Sequence, residues 1–154
     1  MNNAGNAIKV LLKIDPEEQN ERVEIFAREY SEQIRQIEQA ANNGSELTQL
    51  VGITGTSHQL IQTVDATLFF TRNKRVWVRV NGIEMQLRQR LIELEDRLNP
   101  KQFVRISQSE IVNLKHIQSL DFSIAGTISL KLKDKTTCYV SRRSLANFKR
   151  QLGL

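Results

Sequence analysis

The amino-acid sequence predicts a mainly β (α+β) fold, an antiparallel sheet with short helices, preceded by a small strand–strand–helix extension. Three observations support this class. From Leu47 onward, short apolar runs are separated by turn residues, as in a succession of antiparallel strands. The dipeptide Asn81-Gly82 joins two alternating runs, and it is typical of a type I′ hairpin turn. Helical spacing of apolar residues is confined to short segments.

Residues 1–46 are predicted to form the N-terminal extension, and residues 47–154 the second domain. Residues 7–14 alternate between apolar side chains and lysines, which predicts a half-buried strand, and residues 22–26 are a second strand candidate. The following residues recur at helical spacing and predict a helix that ends near Asn42-Asn43-Gly44: Tyr30, Ile34, Ile37 and Ala41. This helix is expected either to support dimerisation or to pack on its own β domain.

The second domain is predicted strand by strand. Short strands are expected over residues 47–54, 59–64, 67–71, 75–80 and 83–87, and a later hairpin joins residues 128–132 to 137–140. Leu91, Leu94 and Leu98 predict a short helix that ends at Asn99-Pro100. Ser141 is expected to be the N-cap of a final helix that carries Leu145, Phe148 and Leu152.

Charge is unevenly distributed along the chain. Residues 1–60 carry 5 Lys+Arg and 9 Asp+Glu, whereas residues 61–154 carry 17 Lys+Arg and 8 Asp+Glu. The basic part favours a polyanionic partner such as nucleic acid, although composition alone leaves open an ordinary basic surface. No apolar run approaches the roughly 18 residues that a membrane helix needs, so a soluble, cytoplasmic protein is expected.

Catalysis is not expected from this sequence. His58 and His116 lie far apart with no metal-ligand spacing around them, and no glycine-rich phosphate loop is present. Cys138 falls in an alternating run, where a buried apolar role is favoured. We therefore expect neither a cofactor nor a small-molecule substrate. Trp77 and Phe103 are interpreted as core residues rather than stacking platforms, which favours duplex over single-stranded nucleic acid.

The basic residues instead gather in turns. Arg72, Lys74 and Arg75 surround one turn, and the polar stretch Arg105, Ser107, Gln108 and Ser109 forms another. Arg142 and Arg143 follow the expected N-cap, where cations oppose the helix macrodipole. We interpret this pair as a site for a phosphate or a guanine edge, with pairing to acidic neighbours as the alternative. Gln108 is suited to adenine, although a single Gln is more commonly an ordinary turn residue.

Two stretches carry a resemblance to a known family. Residues 103–114, Phe-Val-Arg-Ile-Ser-Gln-Ser-Glu-Ile-Val-Asn-Leu, resemble the central motif of the LytTR DNA-binding domain. Residues 139–143, Tyr-Val-Ser-Arg-Arg, with Leu145, Phe148 and Lys149 beyond them, resemble its C-terminal motif. Leu68-Phe69-Phe70 is similar to the apolar strand that precedes the family's first recognition loop. The resemblance covers residues 50–154.

The resemblance implies an elongated, mostly antiparallel β domain that inserts loops, rather than a recognition helix, into successive major grooves. The base-reading positions would be Lys74 or Arg75 in the first loop, Gln108 in the second and Arg143 in the third. Nearby positions would contact DNA or support the loops: Arg105, Ser107, Ser109, Ser141 and Arg142. Many members have His in place of Ser107 and a basic residue or Asn in place of Gln108, which bears on the target sequence.

The expected function is therefore that of a bacterial transcriptional regulator that binds double-stranded DNA sequence-specifically, as a homodimer on repeated half-sites. The short extension is not expected to hold a receiver domain. Similarity to stand-alone regulators of the family also implies a membrane-protein inhibitor as a partner. The alternative is a basic interaction module that binds RNA or an acidic protein partner. An RNA binder should show more exposed aromatic residues, and a protein adaptor should tolerate charge reversal at the arginine pair.

Overall fold

The computed structural model describes residues 8–19, 22–42 and 46–154. Within these ranges the chain forms three α-helices and ten strands, in the order α1 (Glu32–Asn42), β1 (Gln49–Thr54), β2 (Ser57–Gln62), β3 (Ala66–Arg72), β4 (Arg75–Val80), β5 (Ile83–Leu87), α2 (Leu91–Arg97), β6 (Phe103–Ser107), β7 (Glu110–Asn113), β8 (Ile117–Asp121), β9 (Ile128–Leu132), β10 (Thr137–Val140) and α3 (Leu145–Leu152). No helix in the described ranges is long and apolar enough to span a membrane.

The two strands predicted in the extension are wrong. Residues 8–14 and 22–26 pair with no strand, and their large side chains lie in solvent, with Leu11 94% and Phe26 90% exposed. An alternating pattern forms a strand only where a neighbouring edge offers hydrogen-bond partners and an apolar surface. The described part of one chain offers these residues neither. Ala7, Asn43 and Gly44, which belong to predicted elements, lie outside the described residues.

The predicted helix of the extension is confirmed as α1. Its first turn is stabilised by Ser31, whose Oγ accepts a hydrogen bond from the Ile34 backbone N–H at 3.3 Å. α1 packs against α2, which is the contact between the extension and the second domain. A hydrogen bond of 2.6 Å from the Tyr30 hydroxyl to Glu38 ties the residues before α1 to the helix.

The strands form two antiparallel sheets, which confirms the predicted fold class. Seven strands lie in the order β2-β1-β5-β4-β3-β7-β6, and three lie in the order β10-β9-β8. The sheets meet where β6 and the end of β10 run side by side, since the Ser141 backbone N–H donates to the Ile106 carbonyl at 2.7 Å. The predicted turn at Asn81-Gly82 is confirmed, with φ of 50° and 77°.

Each face of the larger sheet carries its own apolar core. On one face, Phe69 and Phe103 pack edge to face, 5.7 Å apart, beneath the leucines of α2. On the other face, Leu68 and Val104 join β8–β10 and the fully buried Phe148 of α3. Consecutive residues of one strand thus enter opposite cores because side chains alternate across a sheet. The sheet is therefore covered by α2 on one side and by the smaller sheet with α3 on the other.

Two of the side-chain predictions have clear outcomes. Cys138 is buried in the second core, as expected, and its burial raises the thiol pKa to about 12. Phe103 is buried as predicted, but Trp77 is only half-buried and does not belong to either core. Trp77 pairs with Phe70 across β3 and β4, and both residues are half-buried.

Candidate nucleic-acid interface

The loop between β6 and β7 is held from inside by Arg105. Its Nε donates to the Ser107 carbonyl at 2.9 Å, and its Nη2 donates to the Gln108 carbonyl at 2.5 Å. Its Nη1 forms a 2.8 Å ion pair with Glu95 of α2. Each guanidinium nitrogen therefore has a partner in the protein, and only 23% of the side chain is exposed. Arg105 fixes the loop backbone, whereas the Gln108 side chain at the tip is exposed.

Two serines complete this loop. Ser107 pairs with Glu110 across a two-residue turn, and its Oγ accepts a hydrogen bond from the Ser109 backbone N–H at 3.2 Å. The Ser109 carbonyl in turn accepts from the Thr71 N–H at 2.9 Å. This last bond ties the β6–β7 loop to the end of β3, so the first and second predicted loops are neighbours.

The third predicted loop precedes α3, and here the predicted N-cap is wrong by three residues. Ser144 is the N-cap of α3, while Ser141 begins the turn that leads to it. The Ser141 carbonyl and Oγ both accept from the Ser144 N–H, at 3.0 and 3.3 Å. The Ser141 N–H continues the pairing with β6, and the chain makes one further turn before the helix begins. Arg142 and Arg143 consequently lie exposed in the turn rather than in the first helical turn.

The second and third loops border one open cleft of about 190 Å³. Its lining consists of Glu95, Arg105, Ser107, Gln108, Ser141, Arg143 and Ser144. Five of the predicted site residues thus converge, together with Glu95 and Ser144, which the motifs did not indicate. Ser109 and Arg142 lie in the same loops without lining the cleft, and Lys74 and Arg75 lie on the β3–β4 hairpin.

The β3–β4 hairpin presents its cations on a tight turn. Asn73 and Lys74 occupy its two central positions with φ of 53° and 62°. These values match those at Asn81-Gly82, where the second position is glycine. A lysine in the left-handed region carries a steric cost of roughly 1–2 kcal/mol that glycine avoids. Lys74 and Arg75 are both exposed, so this turn projects two cations into solvent.

Arg72 stabilises the base of this hairpin. Its guanidinium lies 4.7 Å from the centroid of the Trp77 ring, and it forms a 2.8 Å ion pair with Glu84. Arg79 binds the same carboxylate at 2.9 Å. The hydrogen bond from Arg79, followed by that from Arg72, lowers the pKa of the Glu84 carboxyl. The alternation in β3 and β4, which places these side chains on one sheet face, is the signal that could have revealed this cluster.

The His116 ring has structural partners at both nitrogens. His116 Nδ1 lies 3.1 Å from the Thr67 hydroxyl, and its Nε2 lies 3.3 Å from the Val64 carbonyl. In the described part of the chain, no group of three or more His, Cys, Asp or Glu residues is placed to hold a metal ion.

Known proteins resemble this chain over most of its length. The family model of the LytTr DNA-binding domain matches residues 57–153. Uncharacterized HTH-type transcriptional regulators of Staphylococcus aureus strains MSSA476 and NCTC 8325 are each 33% identical over 147 residues, which cover 96% of this chain and 99% of theirs.

A solved LytTr DNA-binding domain from Bacillus cereus has the same fold, with a TM-score of 0.68 and 20% identity. It covers 70% of this chain and 99% of its own. In the described residues of this chain, α2 and α3 are separated by five strands, so they form no helix-turn-helix. The match to the family model over residues 57–153 and the fold together identify this chain as a member of the LytTR DNA-binding domain family.

Proposed function

We propose that this protein regulates transcription by reading duplex DNA sequence-specifically with three loops. The observation that carries the proposal is the convergence of exposed Gln108 and Arg143 on one cleft, beside a hairpin that presents Lys74 and Arg75. The relatives are named transcriptional regulators, which supports a regulatory role for this chain. Recognition, rather than catalysis, is the activity that these residues can supply.

The side chains divide into two groups by their existing contacts. Lys74, Arg75, Gln108 and Arg143 are exposed, and we assign base reading to them, with Arg143 suited to guanine and Gln108 to adenine. Arg142, exposed in the same turn as Arg143, is assigned to phosphate. The other predicted positions already hold the loops through hydrogen bonds: Arg105, Ser107, Ser109 and Ser141. We assign these to loop support.

Selection of duplexes from a random pool by the purified protein tests this function. We expect a repeated sequence motif after several rounds of selection. Affinity should fall as salt rises, because Lys and Arg side chains displace counterions from the DNA phosphates. A matched selection uses a protein with Gln108→Ala and Arg143→Ala, which should lose sequence preference at the base pairs that these two side chains read. A pool that yields no motif with the native protein, or RNA bound more tightly than duplex, would instead favour the basic interaction module.

Replacing Lys74 with glycine is expected to change stability and DNA affinity in opposite directions. Glycine should relieve the strain of the left-handed backbone, which stabilises the folded state by roughly 1–2 kcal/mol. Glycine also gives the unfolded chain more conformational freedom, which lowers the free energy of unfolding by roughly 0.4–1 kcal/mol. The free energy of unfolding should therefore rise by about 0.5–1 kcal/mol in urea titrations, while affinity for the selected duplex falls.

Lys135→Gly is the matched control for this substitution. Lys135 also has a positive φ, 70°, but it lies in the β9–β10 hairpin. The control should gain similar stability and retain DNA affinity. Equal DNA affinity of the Lys74→Gly and Lys135→Gly variants would remove Lys74 from the proposed interface.

We further propose that the protein works in the cytoplasm as a homodimer on repeated half-sites, and that the extension supplies the dimer contact. Apolar side chains in residues 8–26 are largely exposed, including Leu12 at 84% and Val23 at 70%. Exposed apolar residues at this density favour burial against another molecule. The same surface could bind a membrane-protein inhibitor, which would then compete with the second copy.

Removal of residues 1–46 is expected to separate assembly from DNA reading. Residues 47–154 should retain the fold, because Leu47 and Leu50 remain in the core and the Leu47 N–H still donates to Arg97. We expect a monomer in sedimentation experiments, with unchanged affinity for one half-site and roughly 10-fold or more weaker binding to two. If the oligomeric state and the affinity for two half-sites were both unchanged, the extension would have no role in dimer assembly, and the domain boundary after residue 46 would have no functional meaning.

A further inference from the structure

We infer that Glu95 is a positioning residue that maintains the base selectivity of Gln108 by holding Arg105 inside the protein. This inference rests on the DNA-binding function proposed above. Glu95 belongs to α2, outside both motif-like stretches, yet it lines the cleft beside Gln108 and Arg143. Its Oε2 lies 2.8 Å from Arg105 Nη1. The other two guanidinium nitrogens bind the carbonyls that begin the two-residue turn.

The backbone conformation of the β6–β7 loop depends on the Arg105 side chain. Arg105 Nε and Nη2 bind the consecutive carbonyls of Ser107 and Gln108, so the planar guanidinium sets the orientation of both peptide groups. The direction in which the Gln108 side chain leaves the turn follows from these peptide groups. Bidentate contact with adenine tolerates little error in that direction. Selectivity at Gln108 therefore requires Arg105 to remain where it is.

Bound DNA would compete for Arg105. A phosphate offers the same bidentate acceptor geometry as a carboxylate, and the Arg105 side chain is still 23% exposed at the rim of the cleft. The Glu95 carboxylate binds Arg105 Nη1, the third guanidinium nitrogen, and partly neutralises the positive charge of the guanidinium. With Glu95 in place, Arg105 keeps its bonds to the loop carbonyls. Without it, Arg105 would turn to a phosphate and release the loop.

The charge of Glu95 supports selectivity rather than affinity. A carboxylate in a cleft that faces DNA repels phosphates and so lowers affinity for every duplex. Its side chain is 44% exposed, and burial in a core therefore does not explain its position. A residue that weakens general binding while it restrains a loop cation is expected to increase the ratio of specific to nonspecific affinity.

Glu95→Gln tests this role through two readouts that move in opposite directions. We expect affinity for random-sequence duplex to rise about 2- to 5-fold, with the slope of log K against log salt steeper by about 0.9 as Arg105 gains a phosphate. Discrimination between the selected duplex and one altered at the base pair that Gln108 reads should fall about 5- to 10-fold. Unfolding in urea should show that the fold is intact.

Asp65→Asn is the matched control, because Asp65 is exposed and its replacement removes the same charge. This control should raise affinity for both duplexes and leave discrimination between them unchanged. Its salt slope should change by less than the roughly 0.9 expected for one phosphate contact.

Arg105→Lys is a second test, since lysine keeps the positive charge but cannot bind both loop carbonyls. This variant should lose discrimination as Glu95→Gln does. In a protein that already carries Gln108→Ala, Glu95→Gln should have no effect on discrimination.

The outcomes separate this inference from the function on which it rests. If the native protein selects a duplex and Glu95→Gln retains full discrimination, the role of Glu95 is refuted and the DNA-binding function stands. Equal loss of discrimination in Glu95→Gln and Asp65→Asn would also refute it, because a general charge effect would then explain the result. If the native protein selects no duplex, the proposed function itself fails.

Discussion

Arg143→Ala is expected to weaken binding to the selected duplex by about 1–3 kcal/mol, or roughly 5- to 150-fold, as loss of a bidentate guanine contact should. Arg143 lines the cleft, is exposed, and follows Ser141 in a turn tied to β6. Since its removal leaves the Ser141–Ser144 hydrogen bonds in place, the fold should be unaffected. The loss should be greatest for the native motif and small for a duplex altered at the guanine.

Fluorescence anisotropy at fixed salt measures this loss, and two variants serve as controls. Lys149→Ala removes the same charge from an exposed position on α3, outside the cleft, and should change affinity only slightly. Arg142→Ala should weaken all duplexes uniformly and reduce the salt slope by about 0.9, as loss of one phosphate contact should. If Arg143→Ala behaved like Arg142→Ala, Arg143 would be a phosphate contact and not a base-reading residue.

Phe148→Ala is expected to cost about 3–5 kcal/mol in the free energy of unfolding, because it removes a large side chain from a closed core. Phe148 is 0% exposed and is the side chain by which α3 enters the second core. Small domains have only about 5–15 kcal/mol of total stability, so the variant should be close to unfolding at physiological temperature. Urea titration at low temperature measures the loss.

Ile92→Ala provides the comparison for Phe148→Ala. Ile92 is an apolar residue of α2 that is 58% exposed, so its truncation should change stability by no more than about 0.5 kcal/mol. A loss below about 1 kcal/mol for Phe148→Ala would mean that α3 contributes little to the core. In the Phe148→Ala variant, affinity for DNA should fall together with stability, since α3 supports the turn that carries Arg143.

Most strands after Leu47 could be predicted because their signals are local, although β2 lies two residues earlier than predicted and β6, β7 and β8 were not predicted as strands. Alternation and the Asn81-Gly82 turn suffice to place β4 and β5, whose paired register runs from Val76–Leu87 to Val80–Ile83. The same alternation failed over residues 8–14, where the described part of the chain has no neighbouring strand to complete the pairing. The start of α3 was misplaced because Ser141 caps a separate turn, accepting at its Oγ from the Ser144 N–H, before the helix begins.

The positions of the candidate site were predictable from the motifs, but the hydrogen bonds that hold the loops were not. The motifs located the three loops and the exposed residues Gln108 and Arg143, which the structure brings to one cleft. The resemblance left Arg105 as either a DNA contact or a loop support, whereas the structure shows its guanidinium bound within the protein and Arg143 exposed to solvent. Trp77 was misjudged, since its ring packs against Arg72 rather than in a core.

By itself, the sequence determined the fold class, the family and most strands and hairpin turns of the second domain, because periodicity and turn chemistry act over a few neighbouring residues. Only the tertiary structure decided which cations are available to DNA. A long cationic side chain binds whatever acceptors lie within its reach, and packing brings those acceptors from distant elements. Glu95 of α2 thus reaches Arg105, and Glu84 of β5 reaches Arg72, while Lys74 and Arg143 remain exposed.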